Sequence, residues 1–388
     1  MRAKRRIVVV GTFANAPYAG MAWMHCQFLA GFARLGHEVW YVETTSAWPY
    51  HPIAMTTTDD PTYSLEYLGR VMRSFGLAER WAYRTAYSDG AWHGPLGTRA
   101  LELLRSADAV LNITGSTTPE EIGVPCRLVY IGTDPVLQEF RVANGDRELE
   151  RRVAAHSAHF TYGENIGEQG CGVPPFNATV YHTRQPVVLD YWRSGAPKWS
   201  QFTTVTNWEV KGYDCDYKGE RYTWSKHHEY LKIIDLPGRT DAALELAMGL
   251  SGVTPDVLSL LHGHGWHVID AFQMSLDPWS YRDYVRDSAA ELSVAKDMYA
   301  RTRSGWFSER SACFLGAGRP VITQDTGFGR HIPTGEGLFA FNSTDEALSA
   351  IEAVRSDYER HSRAARDIAE QYFASERVLG ALLDRLGL

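Results

Sequence analysis

SGWFSERSACFLGAGRPVITQDTGFG, residues 304–329, is the stretch from which the rest of this chain is read. Gly305 loosens a loop, and Ser308 is placed to cap a short helix that stops at Gly318. Pro320 then starts a β-branched run, Val321-Ile322-Thr323, which ends in a second glycine-containing loop carrying Asp325, Thr326 and Gly327. A loop-helix-strand-loop unit of this kind is an anion site in physical terms. The free N–H groups at the helix start, with about half a positive charge from the helix dipole, face whatever lies above Ser304, Gly305, Trp306, Ser308, Glu309 and Arg310. Arg310 adds a charge-assisted fork, and the glycines allow a phosphate to approach the backbone. The same unit also serves as plain scaffolding in many α/β proteins, so its meaning depends on the rest of the chain.

The composition sets limits. At 388 residues the chain has room for two domains, each with its own core. A net charge of −7 argues against a nucleic-acid partner, which calls for a basic face. The apolar run at residues 7–10 is too short for a signal-peptide core, and no window reads as a membrane span. Cys26, Cys126, Cys171, Cys215 and Cys313 are scattered, without CxxC spacing, which suits a reduced, cytoplasmic protein with no zinc site. Twelve Trp and twenty Tyr supply large aromatic cores or stacking surfaces for a sugar or a flat acceptor.

Working outward, residues 6–11 (RIVVVG) read as a buried strand, residues 21–35 as a helix and residues 38–43 as the next strand, a βαβ opening with a parallel sheet. No GxGxxG follows the first strand, so this is not a dinucleotide fingerprint. Its loop, residues 12–20, still follows the carboxyl end of that strand, where open α/β sheets bind ligands. Residues 107–113 and 127–132 are two more strands, ending at Asn112 and at Thr133-Asp134-Pro135. Asp134 either serves a substrate or makes an Asx turn stiffened by Pro135. A strand and its loop at residues 160–165 close a first domain near residue 190, and residues 184–197 read as a linker. The second domain opens with a strand at 201–206. A helix is expected at 241–250, a strand at 266–271, and a loop into a strand at 283–296. The alternating His262, His264 and His267 invite a metal reading, but the intervening glycines give it no rigid frame. The last strand is at 335–341, helices follow at 344–354 and 357–373, and an amphipathic helix at 376–386 ends the chain.

Residues 304–329 resemble the donor-binding segment of GT-B glycosyltransferases, close to the broad family 4 type and to a bacterial group in which an Arg precedes the same helix. Gly318-Arg319-Pro320-Val321 matches the Gly-x-Pro-Val step, Asp325 and Gly327 fall on the sugar-side loop, and Arg310 falls on the Arg. The family's E-x7-E pair falls on Gly305 and Cys313, its second loop glycine on Phe328, and Glu309 is an imperfect substitute. Thr133 and Asp134 fall on the family's His-Asp. Of its Arg and Lys-Gly clamp only Lys211-Gly212 remains, with Thr206 at the Arg position and Lys226 as a second cationic candidate.

The resemblance implies two Rossmann-like domains, residues 1–190 and 191–374, facing across a cleft, with residues 375–388 crossing back onto the first. It implies a bacterial, metal-independent transferase acting as a monomer or homodimer, with a nucleoside-diphosphate sugar as co-substrate and no resident cofactor. Asp134 would orient the sugar or accept the acceptor's proton, and the first loop and helix start would approach the donor's phosphates and the acceptor, which makes Gly11, Gly20 and His25 candidates, His25 as a catalytic group or as a packed histidine. The aromatic insertion at residues 48–97 leans towards a small natural-product scaffold as acceptor. A GT-B epimerase or phosphorylase, a nicotinamide-dependent oxidoreductase and a non-catalytic sugar-nucleotide-binding homologue are the rival readings.

Overall fold

The computed structural model describes residues 3–122 and 127–388, so Cys126 lies outside the described residues. Cys26, Cys171, Cys215 and Cys313 are free thiols. Among the described residues the main sheet of the first lobe has eight strands: β1 (Arg6–Val10), β2 (Glu38–Thr44), β3 (Trp81–Arg84), β4 (Trp92–His93), β5 (Ala109–Ile113), β6 (Leu128–Gly132), β7 (Ala158–Thr161) and β8 (Val180–His182). They form one sheet in the order β8-β7-β6-β5-β1-β2-β3-β4, parallel except where β4 folds back against β3.

The second lobe carries β9 (Phe202–Thr206), β10 (Leu244–Met248), β11 (His267–Asp270), β12 (Ala290–Ser293), β13 (Val321–Gln324) and β14 (Leu338–Phe341), ordered β11-β10-β9-β12-β13-β14. In both sheets the first strand lies between the second and a later one. The strand order therefore reverses at β1/β5 and at β9/β12, the two places where an open α/β sheet leaves a crevice at its carboxyl edge.

Apolar runs such as Ile7-Val8-Val9-Val10 are buried on both faces, as expected of parallel strands covered by helices. α1 (Ala19–Arg34) covers β1. Later helices that matter here are α2 (His227–Lys232), α3 (Asp297–Arg301), α4 (Glu309–Gly316) and α5 (Ser375–Leu386). α5 packs along α1, with Leu379, Leu382 and Leu383 in the same core as Phe28 and Phe32. That core runs through both lobes. Trp23 of α1 meets Phe75, Trp192 and Trp279 ring to ring and donates from Nε1 to Pro278 O at 2.7 Å.

The expected linker is accordingly no free tether. Val187 and Val188 are fully buried, and Val187 pairs with Ala374, so the two crossings between lobes run side by side. Among the described residues no helix is long and apolar enough to cross a membrane.

Two expectations are corrected. The helix expected at residues 241–250 is the strand β10, fully buried along its length. Leu-Glu-Leu-Ala-Met consists of good helix formers, but pairing with β9 and β11 on either side outweighs propensity, and Tyr284 and His267 hold Glu245 within the strand. The loop expected from residue 283 is the end of a helix, Pro278–Asp287, started by Asp277, whose carboxylate accepts from Ser280 N at 2.8 Å.

Candidate functional site

The carboxyl edge of the second sheet at the β9/β12 reversal holds a cluster of charges. Arg310, in the first turn of α4, donates from Nη1 to Val205 O at 2.8 Å and from Nε to Glu291 Oε1 at 2.5 Å. Glu291 lies on β12 and is fully buried, so the pair forms the floor of the crevice. The fork foreseen for a phosphate is thus partly engaged with the sheet, though a guanidinium has five N–H donors and these bonds use two.

Lys226, immediately before α2, sits among Arg310, Lys296, Glu291 and Asp134. Burial, then the positive charges of Arg310 and Lys296, hold its ammonium well below the ordinary lysine value. Among the described residues no ion pair or hydrogen bond engages that ammonium. Arg310, Lys226 and Lys296 thus meet Glu291 and Asp134 in one cluster.

Asp134 reaches this cluster from the first lobe. Its Oδ1 accepts from Lys296 Nζ at 2.8 Å and from Tyr299 Oη at 2.6 Å. Lys296 Nζ also lies 3.1 Å from the centroid of the Trp224 ring, a cation–π contact. Trp306 Nε1 donates to Thr133 O at 2.9 Å, so two neighbouring residues of the β6 loop grip the other lobe. Burial pushes the Asp134 carboxyl up, but Lys296 and Tyr299 outweigh it, and the net is a lowered value and a standing carboxylate. Lys296 is lowered by burial, with Asp134 only partly opposing.

The loop is pre-set. Val136 takes φ 85° and ψ −59°, a strained γ-turn geometry, and its N–H is held by Glu139 Oε2 at 2.7 Å. The Asx-turn alternative for Asp134 gives way to partners across the cleft.

Glu309 opens α4 and accepts from Gln27 Nε2 of α1 at 3.3 Å. Burial, with the charge of Asp134 adding, pushes its carboxyl up to about 8. Two carboxyl groups of one cleft are therefore held apart, Asp134 ionised and Glu309 protonated at neutral pH, the pattern that assigns different roles to each.

The other expected residues are placed as follows. Ser308 is the N-cap residue of α4, with no side-chain cap bond. Ser304 is fully buried, and its Oγ shapes the loop by accepting from Trp306 N at 3.3 Å. Asp325 Oδ1 accepts from Gly327 N at 2.7 Å, and Thr326 Oγ1 donates to Trp306 O. Gly305 and Gly327 have φ of 76° and 88°, and a Cβ on either would come within 2.7 Å of Asn165. Their close neighbour is this Asn of the first lobe, whose Nδ2 donates to Arg303 O at 2.9 Å and to Gly327 O at 3.1 Å.

Lys211 stands in solvent, 83% exposed, 3.6 Å from Glu209. His25 is fully buried and held neutral, pushed down to about 4 by burial, with Gly11 directly over its ring. Asn112 is also fully buried and braces its own loop through Thr117 O at 2.7 Å. Gly20 lies on the exposed first turn of α1 with open space around it. The structure thus gathers Asp134, Lys226, Trp306, Glu309 and Arg310, and leaves Lys211, His25 and Asn112 apart.

Sequence reasoning missed Lys296, Tyr299, Trp224, Glu291, Gln27 and Asn165. Lys296 had a signal: it follows a strand at the carboxyl edge, where ligands gather. His264 and His267 pair with Asp235 and Glu245, and among the described residues no three His, Cys, Asp or Glu side chains form a metal-ligating group.

No family model and no curated protein matches the chain. Solved structures do. An alpha-glucosyltransferase (AGT) in complex with UDP superposes with a TM-score of 0.61 at 12% identity, covering 99% of this chain and 100% of that one. An alpha-glucosyltransferase in complex with UDP and a 13-mer DNA gives 0.61 at 11% identity, covering 100% of each chain. AviGT4, a glycosyltransferase involved in avilamycin A biosynthesis, gives 0.52 at 12% identity, covering 98% and 96%. HepE from Anabaena, in complex with UDP and glucose, gives 0.55 at 10% identity, covering 99% of each chain. Across nearly its whole length, then, this chain has the GT-B fold, two Rossmann-like domains with a cleft between them.

Proposed function

We propose that the protein transfers a sugar from a nucleoside-diphosphate sugar to an acceptor hydroxyl. The observation that carries this reading is the gathering of Lys226 with Arg310 and the start of α4 at the β9/β12 reversal, Lys226 making no direct hydrogen bond or ion pair among the described residues while Glu291 and Asp134 act on it from farther off. Crowding these positive groups together is costly, as the lowered value of Lys226 reflects, and an arriving anion relieves that cost. A diphosphate fits, since its departure builds negative charge on oxygens that Lys226, Arg310 and the first-turn N–H groups of α4 would stabilise without a divalent ion.

Asp134, ionised and facing the same crevice, accepts the acceptor's proton. Glu309, protonated, donates to a sugar or phosphate oxygen. The UDP carried by two of the structural neighbours supports a nucleotide as ligand. A small, apolar acceptor is favoured by the net charge of −7 and by Trp48, Ile53 and Met55, which stand exposed beside the loop after β1.

The test is thermal shift with UDP, TDP, GDP and ADP. A ligand at about a hundred times its dissociation constant adds roughly 2.7 kcal/mol. One of the four raises the melting temperature of the parent, and Lys226→Met abolishes the rise while leaving the unliganded protein as stable as before or more so. A shift that survives Lys226→Met refutes the placement.

A further inference from the structure

Resting on the reading above, we infer that Lys296 is a charge switch: in the empty cleft its ammonium holds Asp134, and an arriving diphosphate draws it away, freeing the carboxylate to serve as base. Three observations carry this. The carboxylate expected to take a proton is already occupied, by Lys296 Nζ at 2.8 Å and Tyr299 Oη at 2.6 Å. A base in that condition is a poor one. The ammonium is also poised to leave. It rests on the face of Trp224 at 3.1 Å, 3.0 Å from Tyr299 Oη, on a flexible four-carbon stem, and lies close enough to Lys226 for its charge to lower that neighbour's value. Finally, Asp134 and Lys296 belong to different lobes, so their bond is one that cleft occupancy can alter, while the Glu291–Arg310 pair lies within one sheet edge and stays.

The anion that fills the Lys226–Arg310 crevice carries more negative charge than one carboxylate, and Lys296 turns across the indole towards it. Tyr299 remains to orient Asp134. The transfer then balances. The sugar C1–O bond to the diphosphate breaks with its electron pair on the diphosphate, C1 bonds to the acceptor oxygen, and the acceptor's proton passes to Asp134. Donor binding precedes activation of the base, so an acceptor alone meets a closed ion pair.

The switch makes a prediction whose sign a purely structural latch does not share. Because Asp134 competes with the diphosphate for Lys296, Asp134→Asn tightens binding of the free nucleoside diphosphate, by about tenfold for a charge-assisted bond released. Lys296→Met weakens it by a similar factor. The double variant binds like Lys296→Met alone, since the gain from Asp134→Asn exists only while Lys296 is present. Lys296→Arg, which grips Asp134 with a fork, also weakens binding and provides an independent variant should another misfold.

The experiment is isothermal titration with whichever of UDP, TDP, GDP or ADP stabilises the parent protein, with thermal melts of each variant alongside. Equal or weaker binding by Asp134→Asn overturns the switch and leaves the proposed function standing. Absence of binding by the parent to any of the four overturns both.

Discussion

Glu309→Gln gives a stability change whose sign and pH dependence follow from one side chain. The carboxyl is pushed from an ordinary 4.5 up to about 8 by burial and by Asp134. Between those values the unfolded chain has released the proton and the folded one has kept it. Stability therefore falls as pH rises from about 4.5 and levels off above about 8. At pH 7 the gap from 4.5 corresponds to about 3 kcal/mol at 1.36 kcal/mol per unit, an upper figure that partial exposure of the side chain reduces to roughly 1–2 kcal/mol. Gln keeps an oxygen for Gln27 Nε2 and cannot ionise.

The variant should match the parent in urea denaturation at pH 4.5, gain progressively on raising the pH, and be more stable by roughly 1–2 kcal/mol at pH 7. Transfer by the parent should decline as the pH passes about 8, where Glu309 loses its proton, and the variant should lack that decline. A difference in stability that is the same at pH 4.5 and pH 8, or a variant less stable throughout, refutes the assignment of a protonated Glu309.

Arg310→Met strands the fully buried Glu291 and should cost about 3–5 kcal/mol in denaturant titration, most of it recovered in the double variant Glu291→Leu/Arg310→Met, which still fails to bind a nucleoside diphosphate. Gly11→Ala places a Cβ 2.0 Å from His25 Nε2 and should cost about 1–3 kcal/mol, with His25→Ala relieving it in the double variant. If His25 were a catalytic group reached by solvent, Gly11→Ala would be near neutral in melts.

Much of the chain was legible because its signals are local. The β1-α1-β2 opening follows from an apolar strand run, a helical period and a Gly-containing turn, and the unit from Ser308 to Gly327 follows from an N-cap, a helix-ending glycine and a proline before β13. The charged residues at the start of α4 were found in the same way. Where strand pairing on both sides outweighs propensity, as at Leu244–Met248, the local signal pointed the wrong way.

Sequence alone determined that the chain would be an α/β protein with a loop-helix-strand-loop unit around Arg310, since helix caps, glycines and hydrophobic period act over a few residues. Only the tertiary structure decided which lysine lies beside Arg310. The resemblance put Lys211 first and Lys226 second, and the short hairpin between them, Cys215–Tyr217 with Glu220–Tyr222, leaves the first in solvent and brings the second beside Arg310. The fold likewise decided that Asn165 fills the space the glycines leave, and that Lys296 meets Asp134 from 162 residues away. Contacts of that separation are set by how two lobes pack on a shared core, and no residue spacing along the chain encodes the distance between them.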